Sequence, residues 1–132
     1  MTMTLQEYFN ILRAVGASLQ QRGISFTSMP DEPYLTVPGN PGGFDILVSL
    51  DAHGEIAQVE FDTDGWRHRI VSSQDALEMI ELGRSSRAEL EVASRRGIRY
   101  RWTLKIDGLE HSVHARRRPL WGRDEVCRLR NA

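Results

Sequence analysis

Three features of the 132-residue sequence predict an α+β fold. One early stretch repeats apolar residues at helical spacing, later stretches alternate apolar with polar residues, and Asp-Gly dipeptides punctuate them. The expected order is an N-terminal helix, an antiparallel three-stranded meander, a short helix, a second three-stranded meander and an irregular C-terminal tail. Residues 1–132 read as one domain. An αβββ pseudo-repeat over 4–71 and 72–116 is an open alternative, with 117–132 as tail.

Thr4-Leu5-Gln6-Glu7 has the form of a capping box. Leu5, Tyr8, Phe9, Leu12, Val15 and Leu19 follow at helical spacing, and Gly23 supplies a stop, so the first helix is expected over about 5–22. Ile11 widens its apolar arc beyond what one sheet contact needs. Residues 28–43 are rich in Pro and Gly and read as a connector. Their one strand-like piece, Tyr34 to Val37, is expected at a sheet edge because prolines flank it.

Phe44, Ile46, Val48 and Leu50 alternate, turn at His53-Gly54, and continue as Ala57, Val59 and Phe61. A two-residue Asp64-Gly65 loop would pair Phe61 with His68, Val59 with Ile70, Asp62 with Arg67 and Glu60 with Arg69. Ser72 or Ser73 caps a short second helix, which Gly83 is expected to end. In the second meander Ala88, Leu90 and Val92 precede Ile98, Tyr100, Trp102, Leu104 and Ile106. A two-residue Arg96-Gly97 loop would set Glu91 against Trp102. A three-residue loop, Arg95-Arg96-Gly97, is therefore expected, pairing Val92 with Tyr100 and Leu90 with Trp102. Asp107-Gly108 turns the chain again, with Leu104 against His111, Trp102 against Val113 and Lys105 against Glu110.

Charge is unevenly spread. Residues 1–82 hold four basic and twelve acidic side chains, and residues 83–132 hold thirteen basic and six acidic ones. The halves are then −8 and +7, which marks either a partner-binding face or two halves that neutralise each other. One cysteine, Cys127, excludes an internal disulfide and suits a reducing compartment. No basic segment precedes an apolar run, and no apolar run approaches the ~20 residues of a membrane span, so a cytoplasmic location without membrane contact is expected.

Chemistry has little foothold. His68 and His111 are expected to point inward as core histidines, not metal ligands. Asp62-Thr63-Asp64-Gly65 fails as a calcium loop because its glycine comes too early and Ser73 stands where the closing Glu belongs. No serine sits in a glycine elbow, no phosphate-binding glycine pattern occurs, and Cys127 with its neighbours Arg123, Arg128 and Arg130 reads as an incidental thiol. The expectation is a non-catalytic protein-binding or adaptor module with no cofactor and no metal. It is expected to self-associate through a sheet edge or through Leu47 and Ile56, which break the alternation on the outer face of the first meander. The second expectation is weak, sequence-tolerant nucleic-acid binding through Arg99, Arg101, Lys105, Arg116, Arg117 and Arg118. Tyr100 and Trp102, read as core residues, leave that face without a stacking aromatic.

Overall fold

Helix α1 runs over Leu5–Gln21, and its first turn is held as its capping box requires: the Glu7 N–H donates to Thr4 Oγ1 at 3.1 Å. This computed structural model describes residues 3–29, 31–115 and 119–132. Tyr8, Ile11, Leu12, Val15 and Leu19 are buried along one side of α1.

Five strands form one antiparallel sheet in sequence order: β1 (Thr27–Ser28), β2 (Leu35–Val37), β3 (Ile46–Leu50), β4 (Ala57–Phe61) and β5 (Trp66–Arg69). The 28–43 region thus contributes strands, and β2 lies between β1 and β3 instead of at an edge. Pro33 and Pro38 fall just outside β2, so neither removes a ladder donor from within it. The β3–β4 register matches the expectation, with Leu47 opposite Glu60 and Val48 opposite Val59.

The β4–β5 register is two residues off the expected one. Phe61 faces Trp66, Glu60 faces Arg67 and Val59 faces His68, so the loop is the four residues 62–65. The shift brings the Phe61 and Trp66 rings together at 5.0 Å, a larger apolar contact than Phe61 against histidine. It also releases Asp62 from the strand pair.

Helix α2 (Ser73–Arg84) starts on Ser72, whose hydroxyl oxygen accepts from the Asp75 N–H at 3.1 Å. Gly83 lies inside this helix, not beyond it. A Cβ at Gly83 would sit 2.8 Å from the Phe61 ring and from Ile46 Cδ1, so glycine here sets how closely α2 approaches the sheet.

The second sheet has four antiparallel strands in the order β8-β7-β6-β9: β6 (Ala88–Arg95), β7 (Ile98–Ile106), β8 (Leu109–His114) and β9 (Asp124–Leu129). The architecture is α+β, with sheets of five and four strands in place of two three-stranded meanders, and the expected irregular tail supplies β9. The β6–β7 turn is the two-residue Arg96-Gly97 loop, both residues at positive φ, with Arg95 opposite Ile98. The facing problem is solved by a β-bulge. Arg99 lies opposite Ser94 and Arg101 opposite Ala93, so Tyr100 is an extra residue. Beyond it Val92 faces Trp102, Leu90 faces Leu104 and Glu91 faces Thr103, which replaces the expected pairings. The β7–β8 register is as expected, with Lys105 opposite Glu110 and Leu104 opposite His111.

Trp102, Leu104, Leu90 and Val92 join one core with α1, α2 and the first sheet. Tyr100, expected in that core, is buried but stands outside it. Its ring lies beneath the Arg95 and Arg101 guanidinium groups, at 5.4 and 5.9 Å from the ring centroid. Phe9 is only half-buried.

Strand β9 is mostly exposed, and Asn131, two residues past its end, fastens it. Asn131 is 5% exposed. Its Oδ1 accepts from the Asn40 and Phe44 N–H groups at 3.2 and 3.0 Å, and its Nδ2 donates to the Phe44 and Gly83 carbonyls at 2.9 and 3.1 Å. Asn131→Ala should orphan these buried backbone groups and cost about 2–4 kcal/mol in urea denaturation. Amide exchange should rise first in β9, and a loss below about 0.5 kcal/mol contradicts the lock.

Candidate functional site

The bulge decides where the expected basic residues point. Arg99 turns toward Trp102, and both donate to Asp62 Oδ2, Arg99 through its guanidinium and Trp102 through its indole N–H at 2.9 Å. Asp62 holds a left-handed φ of 67°, a conformation that Asp tolerates better than most residues. Lys105 pairs with Glu91 at 2.8 Å and Glu110 at 3.7 Å. Arg101 lies over Tyr100. The strand face therefore does not present Arg99, Arg101 and Lys105 as one open row. Arg116, Arg117 and Arg118 lie outside the described residues.

Arg87–Asp107, Arg95–Asp124, Lys105–Glu91, Arg128–Glu91 and Arg130–Glu89 all fall within residues 83–132, and Arg99–Asp62 joins the two halves. The hydrogen bond from Lys105 holds the Glu91 carboxyl below the usual range. Those from Arg95 and Tyr100 do the same for Asp124.

His68 and His111, expected to point inward, are both exposed. Each borders Trp66. The His68 ring stacks on it at 6.0 Å, and Trp66 Nε1 donates to His111 Nδ1 at 3.1 Å. Among the described residues no three His, Cys, Asp or Glu side chains are grouped to hold a metal ion.

Leu47 and Ile56, the expected interface pair, are half-buried and apart. Leu47 stands between Thr36 and Glu60. Ile56 lies beside Met3 and Glu7 at the start of α1. Next to Leu47 the outer row of the first sheet carries a buried polar pair, Gln58 Nε2 donating to Glu60 Oε1 at 2.7 Å. Burial, then the Asp64 charge, raises the Glu60 pKa.

A larger concave surface lies elsewhere, between α1 and β1. It is a groove of about 550 Å³. Phe9, Leu12, Gly16 and Ala17 of α1 form one wall, and Phe26, Met29 and Leu35 form the other, with Arg13 and Glu32 also lining it. Met29 is 59% exposed, and among the described residues no strand pairs with the far side of β1. The over-wide apolar arc of α1 was the sequence signal for this groove. Its second wall was not readable, because Met29 lies within, and Phe26 just before, a stretch whose Pro and Gly content reads as connector. No family description, curated protein or solved structure matches the chain.

This geometry sets two measurable expectations. Asp62→Ala should cost about 1–3 kcal/mol by removing the acceptor of a part-buried indole N–H. Asp62→Asn, which keeps an acceptor and tolerates the left-handed backbone, should cost less than half of that; equal losses contradict the assignment. At Glu60 the folded-state pKa lies above the unfolded one, so its stabilising contribution is present at acid pH and is lost as pH rises. Glu60→Gln should therefore stabilise by up to about 1 kcal/mol near pH 7 and by nothing below about pH 4. A pH-independent effect contradicts this sign.

Proposed function

We propose that the chain is a non-catalytic protein-binding module that takes an extended, apolar peptide segment in the groove between α1 and β1. The observation that carries this reading is the combination of a groove of about 550 Å³, lined by apolar side chains together with Arg13, Gln20, Ser28 and Glu32, with the edge of the two-residue strand β1 on its rim. Backbone hydrogen bonds to an edge strand supply affinity without sequence preference, and alternate side chains entering a trough supply selection. A second copy of the chain is one partner that could offer such a segment, and self-association belongs to this reading. The nucleic-acid alternative for the β7 face is weaker, because Arg99 and Lys105 already hold Asp62, Glu91 and Glu110.

Ala17 is exposed on the groove wall, so Ala17→Arg fills the trough without touching the core. A labelled extended peptide of about ten residues, alternating Leu with Thr, should bind the wild-type protein and lose at least about tenfold in affinity to Ala17→Arg. A prolyl-substituted peptide, which cannot donate along the edge, should also bind more weakly. Equal affinity for wild type and Ala17→Arg overturns the reading. Sedimentation of both proteins separates the self-associating case, in which the variant alone is monomeric.

A further inference from the structure

At the turn end of the second sheet, the loop following Pro119 exposes two consecutive apolar residues. Leu120 is 90% and Trp121 69% exposed. The loop is nonetheless held in place. Arg95 Nη1 donates to the Pro119 carbonyl at 3.0 Å, and the Arg96 guanidinium stacks over the Trp121 ring at 4.0 Å from its centroid. Gly122 has φ 115°, and a Cβ there would lie 2.9 Å from Arg96 Cγ, so only glycine lets the loop lie against these arginine stems. The indole is thus clamped by a cation on one face and open to solvent over most of its surface.

Arg96 and the exposed Arg123 form no ion pair with any described acid; of the neighbouring acids, Asp124 is held by Arg95 and Glu125 is exposed. An oriented, solvent-facing indole beside unpaired guanidinium groups is the arrangement by which single strands are held, a base stacking on the aromatic ring while the backbone phosphates meet arginine. We propose that Trp121, with Arg96 and Arg123, is a base-stacking platform for single-stranded nucleic acid. This site is independent of the α1–β1 groove. It also differs from the β7 strand face, which has no exposed aromatic residue among those described.

Trp66 and Trp102 are each 4% exposed, so the tryptophan emission that responds to an added ligand comes from Trp121. Titration at low salt with a single-stranded oligothymidylate of about twenty nucleotides should quench that emission and saturate. Raising the salt should weaken binding steeply. Trp121→Ala, monitored by anisotropy of labelled oligonucleotide, should bind about tenfold more weakly. Trp121→Phe should recover part of the loss, and Arg123→Glu should weaken binding as well. Both residues are exposed, so the melting temperatures of these variants should match wild type. Unchanged oligonucleotide affinity in Trp121→Ala overturns the proposal. So does absence of quenching together with a blue shift on vesicles of phosphatidylcholine containing about 30% phosphatidylglycerol, which would assign the loop to an anionic lipid surface. No response to either probe overturns it too.

Discussion

The β-bulge at Tyr100 is the constraint on which the second sheet depends. A two-residue turn at Arg96-Gly97 and a core-facing Trp102 are incompatible in a regular hairpin, because side chains alternate with a period of two. One extra residue reconciles them, and Arg99 and Tyr100 exchange their expected surroundings as a result. Arg99 reaches across to Asp62 beside the Trp102 indole, and Tyr100 lies beneath the Arg95 and Arg101 guanidinium groups. The two sheets therefore meet through a carboxylate and an indole as well as through apolar packing, reinforced by the Trp66 bond to His111.

The first sheet is arranged around a different requirement. Helix α1 carries more apolar surface than the sheet covers, and part of the excess lines a trough open to solvent. A monomeric protein gains little from such a surface, whereas a partner segment gains the burial of its own side chains. Gly83 contributes to the same core, where its missing Cβ lets α2 close over Phe61 and Ile46.

Much of the fold was legible in the sequence where local chemistry and burial agree. The caps at Thr4 and Ser72, the β3–β4 register and the Asp107-Gly108 hairpin are of this kind. The rest turned on contacts that no local pattern carries. The 62–65 loop lengthened because Trp66, not His68, closes against Phe61. Strand β9 has no buried period to read, since it pairs with β6 through backbone bonds and the ion pairs Arg95–Asp124, Arg128–Glu91 and Arg130–Glu89. Of the candidate site, the arginine-rich character of the second half was visible, but not its placement. Trp121 fell in the stretch expected as irregular tail, and only its exposure and the position of Arg96 show an oriented indole facing solvent.

The Asn131 contacts have a kinetic side. They tie the Asn131 side chain to backbone groups 48, 87 and 91 positions away, whereas the β6–β7 and β7–β8 hairpins close over short loops. Chain-entropy cost grows with loop length, so the hairpins can form early and the Asn131 closure is favoured only once the first sheet and the β6–β8 hairpins are in place. The β9 edge is then the last element to join and the first to open, a latch whose release exposes the β6 edge while the rest of the fold stays intact.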